Sequence, residues 1–412
     1  MIIHYPIQIE KIFNKLKKYT VTPIIVGGFV RDSFLGLESK DIDIELYNID
    51  SLSKVEKILK EFGQVNNVGK SFGIVKLLYE DLDLDFSLPR VDNKIAKGHK
   101  GFDIRIDTTL TFKEASRRRD FTINTIGYDV FEKKILDPYN GKEDLEKKVL
   151  RAVDLEKFVE DPLRVLRAVS FSGRFSMSME PKLLKLCKKM FKNKIIHQLP
   201  KERIFEEFKK LLLKSQKPSC SLYLLKEMAG FELFEEFTVL NDKEFQELLD
   251  ALNRAVITTK SKNQKEKLII MLAVLCSKFS QEQCYSFLNK LTDQKEIIQK
   301  VIQLTQTKFF LSKPTNYSLY KLANRLQIAL YIPYLLALYE NRSDGIQNIE
   351  SKAKELGVFN KALQALIEGK DLINFGLKPS KEFSYILQDL YEKQMQGKFK
   401  TKEEAKKFLR LP

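Results

Sequence analysis

The chain has 412 residues, 43% of them hydrophobic, enough to bury a real core and to form several domains. Lys and Arg outnumber Asp and Glu by 71 to 55, and the net charge of +16 points to a polyanionic partner. No apolar run reaches membrane-spanning length, Met1 to Pro6 lacks a basic region followed by an apolar one, and Cys187, Cys220, Cys276 and Cys284 lack paired spacing; the sequence therefore predicts a cytoplasmic protein with no membrane association, zinc site or disulfide framework, its cysteines buried as small hydrophobes.

Up to about residue 136, short β-type runs alternate with helices. The apolar run Ile24-Ile25-Val26 leads into the turn Gly27-Gly28, followed by Phe29-Val30-Arg31-Asp32 and a helical stretch to Gly36. A strand, a Gly-Gly turn and a helix start present free backbone N–H groups to an anion, and Arg31 adds a fork that suits phosphate. Next, Asp41-Ile42-Asp43-Ile44-Glu45-Leu46 alternates with a period of two. Asp41 and Asp43 then share one face while Ile42, Ile44 and Leu46 point into a core. Neighbouring carboxylates repel each other unless a divalent cation sits between them.

The run Gly73-Ile74-Val75-Lys76-Leu77-Leu78-Tyr79 is predicted to form a hairpin with Asp81-Leu82-Asp83-Leu84-Asp85-Phe86, in which acids again alternate with apolar residues. If the two acidic strands are neighbours, three carboxylates converge on a pair of Mg²⁺ ions, a site for phosphoryl or nucleotidyl transfer. A strand face of solvated acids is the plainer alternative. Residues 91 to 106, polar and glycine-bearing, are predicted to be a mobile loop, with His99 a loop residue and no ligand.

Arg117-Arg118-Arg119-Asp120 sets three arginines against one acid. Either one of them faces a triphosphate or the stretch is a basic surface turn pinned by Asp120. In Phe158-Val159-Glu160-Asp161-Pro162-Leu163-Arg164-Val165-Leu166-Arg167, Pro162 fits the first helical position and Asp161 the cap. Asp161, Arg164 and Arg167 recur at three-residue spacing and line one face. A carboxylate accepts hydrogen bonds and a guanidinium donates them, so the pair matches a base edge with an amino group beside an unprotonated ring nitrogen. Cytosine and adenine show that edge; uracil and guanine conflict with it and would leave buried polar groups unpaired.

The fold class read from these patterns is an α+β head over residues 1–136, a helical neck over 137–235 and a helical body and tail over 236–412. The head carries a net charge of only +2 and the rest +14, which places the backbone of a polyanionic substrate on the C-terminal two-thirds.

Taken in order, the glycine turn with Arg31, Asp41-x-Asp43, Arg118-Arg119-Asp120, Leu136-Asp137-Pro138-Tyr139-Asn140-Gly141 and Glu160-Asp161-x-x-Arg164 resemble the motifs of the class II tRNA nucleotidyltransferases, the CCA-adding enzymes of the polymerase-beta superfamily. The resemblance spans roughly residues 24 to 235. It implies that Asp41 and Asp43 hold two Mg²⁺ ions with Asp85 as a third catalytic acid, and that Gly28, Arg31 and Arg119 contact the triphosphate. Asp161 and Arg164 would read the incoming base, with Arg167 close by. The implied reaction is attack of a tRNA 3′-hydroxyl on the α-phosphate of CTP or ATP with release of pyrophosphate, completing and repairing the CCA end without a template; no protein partner is inferred.

Bacterial poly(A) polymerases share this head, but they resemble a pattern with consecutive basic residues after the second strand, where Val68-Gly69-Lys70-Ser71-Phe72 has a serine. The full-length segment from Arg90 to Asp107 favours complete CCA addition over CC addition, and leaves A addition alone open. Some relatives carry a C-terminal His-Asp phosphohydrolase domain; the last histidine here is His197, so that activity is expected to be absent.

Overall fold

The computed structural model describes residues 3–66, 73–94, 102–308 and 314–409. The expected motif at 68–72 lies outside them. The chain divides into two compact units, 1–211 with 220–233, and 212–219 with 234–412.

The first unit is built on a seven-stranded mixed sheet. Helix α1 (Glu10–Lys18) precedes β1 (Thr22–Val26), α2 (Gly28–Phe34), β2 (Asp41–Tyr47), α3 (Leu52–Leu59), β3 (Val65–Asn66), β4 (Ile74–Tyr79) and β5 (Leu82–Ser87). A ribbon of β6 (Arg90–Lys94) and β7 (Phe102–Ile106) and the short α4 (Phe112–Ser116) follow, before β8 (Gly127–Asp129) and β9 (Lys134–Leu136). The sheet order is β3-β4-β5-β2-β1-β8-β9, with β2 and β5 parallel and the other neighbours antiparallel.

Two-residue periodicity explains the sheet's two faces. Ile42, Ile44, Leu46, Leu84 and Phe86 are buried, as are Val75 and Leu77 on β4, so the residues between them are turned to the opposite face. The hairpin of β4 and β5 forms as its alternation predicts. The segment expected to be a mobile loop differs: Arg90–Lys94 pairs with Phe102–Ile106 in an antiparallel ladder, and 95–101, with His99, lie outside the described residues. Alternating Ile104 and Ile106 around charged residues is strand-forming, a signal outweighed in the sequence by the polar glycine-bearing centre.

Past the sheet come α5 (Gly141–Glu146), β10 (Val149–Leu150), α6 (Leu155–Phe158), α7 (Leu163–Phe175), β11 (Ser178–Met179), α8 (Pro181–Lys192), α9 (Lys201–Lys214) and α10 (Pro218–Glu227). The motif Leu136 to Gly141 is a helix start: Asp137 Oδ1 and Oδ2 accept the N–H groups of Gly141 and Lys142 at 2.7 and 2.9 Å. Gly141 is required there, since a Cβ would stand 2.3 Å from the Thr122 carbonyl oxygen. The motif thus docks α5 beneath the turn that carries Arg118, Arg119 and Asp120.

The second unit is helical: α11 (Asp242–Thr258), α12 (Gln264–Leu275), α13 (Gln281–Leu291), α14 (Lys295–Gln306), α15 (Asn316–Arg325), α16 (Ile328–Leu338), α17 (Ser343–Glu355), α18 (Gly369–Asn374), α19 (Phe383–Met395) and α20 (Lys402–Lys406). Helices α11 and α13 open with reciprocal capping boxes, Asn241 with Glu244 and Ser280 with Gln283, which satisfy N–H groups at each first turn. Residues 268–276 of α12 and its cap are buried on every side, making it the central helix of this unit. Cys187, Cys276 and Cys284 are buried as expected, but Cys220 is exposed.

Candidate active site

A cavity of about 580 Å³ opens in the first unit, walled by the glycine turn, Asp43, the Arg118–Asp120 turn and the start of α7. Six arginines and three aspartates line it. That surplus of positive charge in a concave site suits a polyphosphate. Gly28, Arg31, Asp43, Arg119, Asp161, Arg164 and Arg167 all reach this cavity; Asp41 and Asp85 stand outside its wall.

The register of the sheet sets the floor. Val26 pairs with Asp43 across β1 and β2, so Gly27 begins the turn beside that carboxylate. Gly27 has φ +70° and ψ −129°, a conformation open to glycine, and a Cβ on it would lie 3.3 Å from Asp43 Oδ2. On the other side of β2, Asp41 pairs with Asp83 and Asp43 with Asp85 in the parallel ladder. The acids therefore share one sheet face, as alternation requires. Loss of hydration pushes the Asp43 carboxyl above its ordinary value, Asp85 and Asp41 add to this, and Arg119 opposes it.

Among the described residues no group of three or more His, Cys, Asp or Glu side chains is arranged to hold a metal ion. Asp85 is paired with Lys76, whose Nζ donates to Oδ1 and Oδ2 at 2.9 and 2.6 Å.

Arg31 is part of the wall. Its Nε and Nη2 donate to Asp32 Oδ1 at 2.8 and 2.6 Å, and its Nη1 donates to Asn124 Oδ1 at 2.6 Å. The guanidinium, 4% exposed, also lies 5.1 and 4.7 Å from the ring centres of Phe171 and Phe175. Burial draws its pKa down and Asp32 works against that. Three of its five N–H groups are spent in this way, so what it offers a ligand is a fixed positive charge with the remaining two.

The arginine turn splits its three side chains. Arg117 leaves for Asp154, while Arg118 and Arg119 both donate to Glu45 Oε2, at 3.1 and 3.4 Å. Arg119 Nη1 also holds the Asn124 carbonyl at 2.8 Å. Burial would push the Glu45 carboxyl up, but Arg119, Arg118 and the Tyr47 hydroxyl outweigh it and hold it below the usual carboxylate range. Glu45, fully buried, is the counter-charge that lets two arginines stand together at the cavity. Sequence reasoning missed this role, although the alternation that groups Asp41 with Asp43 puts Glu45 on the same face.

Asp120 accepts from Arg167 Nε and Nη2 at 2.7 and 2.6 Å, and from Asn124 Nδ2 at 2.8 Å. Asp161 caps a helix as its position beside Pro162 predicts. Helix α7 begins one residue later than predicted, at Leu163, and Asp161 Oδ1 accepts the Leu163 N–H at 3.2 Å. Both oxygens of Asp161 also face Arg203 on α9, at 3.4 and 3.3 Å. Arg164 does not pair with Asp161: its Nη1 and Nη2 donate to the carbonyls of Lys157 and Arg118 at 2.8 and 2.7 Å. Two of its five N–H groups are used and three remain. Arg90, Ser87 and Asn124 also line the wall and were not expected there, whereas Arg118 was one of the three arginines of which one was expected at the ligand; all come from strand ends and turns brought in by tertiary structure.

The family described as "Poly A polymerase head domain" matches residues 24–151, which hold the glycine turn, the acidic strands and the arginine turn. "Probable RNA and SrmB- binding site of polymerase A" matches 176–238, and domain 2 of tRNA nucleotidyltransferases matches 266–407. The three matches fall on separate parts of the chain. Relatives include the Multifunctional CCA protein of Xylella fastidiosa (strain M12), 35% identical over 212 residues that make up 51% of this chain and 49% of that protein. The Multifunctional CCA protein of Chromobacterium violaceum is 36% identical over 203 residues, 49% of this chain and 47% of that one. The chain thus spans about half the length of the curated relatives it matches.

Among solved structures, the Bacillus stearothermophilus CCA-adding enzyme in complex with CTP superposes with a TM-score of 0.74 over 97% of this chain and 96% of that one at 19% identity. The Thermotoga maritima CCA-adding enzyme complexed with tRNA matches with a TM-score of 0.64, covering 98% of this chain and 95% of that one at 20% identity. These likenesses establish the fold, an α+β head followed by helices. No helix among the described residues is long and apolar enough to cross a membrane.

Proposed function

We propose that the protein is a tRNA nucleotidyltransferase that adds and repairs the 3′-terminal CCA sequence from CTP and ATP without a template. The observation that carries this reading is the single cavity that joins Gly27-Gly28, Asp43 and Arg119 to Asp161, Arg164 and Arg167. One end has what a triphosphate needs, and the other has a fixed acceptor and a fixed donor for a base edge. The similar proteins named above as CCA proteins support the choice of substrate.

The residues fit a hard divalent cation. Asp41 and Asp43 are acceptor-only oxygen donors on one sheet face; burial chiefly raises the Asp43 carboxyl, and the repulsion that Asp85 and Asp41 add to it is what a cation would relieve. Two Mg²⁺ ions held by Asp41 and Asp43, with Asp85 as third acid, would supply charge for the attacking and leaving oxygens. The chain's own contribution is positional. Gly27 and Gly28 let backbone approach the phosphates, and Arg31 and Arg119, both bonded to Asn124, set positive charge beside that turn. Asp161 keeps unused lone pairs and Arg164 unused N–H groups, so cytosine and adenine leave neither unpaired, whereas uracil and guanine do.

The test offers tRNA ending at the discriminator base, at C or at CC, together with an unstructured RNA, with CTP and ATP separately and combined. Growth by C, C and A that then stops is expected. Long A tails on the unstructured RNA would identify a poly(A) polymerase instead; extension of the CC-ending tRNA alone would identify an A-adding enzyme, and arrest after CC a CC-adding one.

A further inference from the structure

The cation that the structure places on the acidic sheet face is the protein's own. Lys76 is the cross-strand partner of Asp85 in the ladder of β4 and β5, and Asp85 is in turn the partner of Asp43. With Val75 and Leu77 buried, the strand period turns Lys76 to the face that carries the acids. Its ammonium contacts both carboxylate oxygens of Asp85, while half of the side chain's surface stays open to solvent. A lysine tied into the core could not leave this position; one reaching in from solvent on a flexible stem can.

We propose that Lys76 is a displaceable counter-ion for Asp85, one that neutralises the acidic face before a divalent cation binds and swings off Asp85 as the cation arrives, so that it sets the affinity of the site for that cation. This rests on the reading of Asp41 and Asp43 as cation ligands. Lys76 is a positioning residue in this scheme: it acts on the cation through Asp85. The plainer account is a surface ion pair with no bearing on the site, and the two differ in a measurable way. A competing cation weakens divalent binding, so its removal must strengthen it; removing an idle ion pair changes nothing.

The experiment is a titration of the full chain, free of nucleotide, with Mn²⁺ followed by electron paramagnetic resonance of the free ion. Lys76→Met should bind Mn²⁺ roughly two- to fivefold tighter than the wild type, the size of an exposed ion pair expressed as a binding ratio. Asp85→Asn in the Lys76→Met background should remove that gain, because the gain runs through Asp85. Lys76→Gln, which keeps a polar end on the strand, carries the same expectation if the methionine variant does not fold. Equal or weaker Mn²⁺ binding by the folded lysine variants, or a gain that survives Asp85→Asn, overturns the proposal and leaves the metal reading standing. Absence of Mn²⁺ binding by the wild type and the lysine variants alike overturns the metal reading and the proposal with it.

Discussion

Gly27 lies against Asp43, so closely that a Cβ on the glycine would meet the carboxylate oxygen at 3.3 Å. Backbone and acid share one small volume at the floor of the cavity. Gly27→Ala imposes two penalties there, a φ of +70° that side chains rarely adopt and a methyl pressed on Asp43. The variant is expected to lose about tenfold or more in single-turnover incorporation of CTP, equivalent to about 1.4 kcal/mol. Its affinity for tRNA, measured by filter binding, should stay within twofold of the wild type. Unchanged incorporation would remove the glycine turn from the site.

Asp161 carries two loads that one substitution separates. Asp161→Ala removes the acceptor for the Leu163 N–H, costing about 1 kcal/mol of stability. It also removes the acceptor for the base, so the preference for CTP and ATP over UTP and GTP should fall by about tenfold in competition assays. A lower melting temperature with unchanged selectivity would reduce Asp161 to a helix cap.

The buried pair of Asp120 and Arg167 predicts a pH dependence. Burial works to raise the Asp120 carboxyl, but Arg167, with help from Asn124 and Arg164, holds it below its ordinary value of 3.8. A depressed carboxylate contributes stability that is present above the ordinary pKa and lost as pH falls through the folded one. Asp120→Asn should therefore melt well below the wild type at pH 7, and the gap should narrow as the pH falls from about 5 towards 3. A gap that is constant over this range would mean that the pair contributes nothing through charge.

Gly141→Ala tests the support beneath the arginine turn. Its Cβ would stand 2.3 Å from the Thr122 carbonyl oxygen and 2.8 Å from its carbon, both backbone atoms. Relief requires α5 or the turn to shift, at about 1–3 kcal/mol. Thermal melting should show that loss, and KM for CTP should rise because Arg119 and Asn124 move with the turn. A stable variant with normal KM would mean that the turn is held by other contacts.

The head's sheet was legible because its strands obey a period of two, and because only one face of each is apolar. The acid face followed from the same rule. What the sequence concealed are partnerships between distant positions: Asn124 with Arg31, Glu45 with Arg118 and Arg119, and Arg203 with Asp161. Each joins residues tens of positions apart, and no local pattern encodes such a meeting. The ribbon of β6 and β7 was obscured for another reason, since its polar residues read as a loop until the ladder pairs them. Lys76 on Asp85 lay within reach, because a hairpin with known register sets them opposite each other.

The parallel pairing of β2 with β5 is the exception in an otherwise antiparallel sheet, and it separates what is held from what connects it. Asp43 and Asp85 are matched rung by rung by the ladder, while the crossover between the strands, with α3, β3 and β4, enters the match nowhere except through β4. Exposed positions on α3, such as Ser53 and Lys57, are thus places where the chain can change without moving one acid relative to the other. Reporter labels belong there, near the acids in sequence and outside the ladder that matches them.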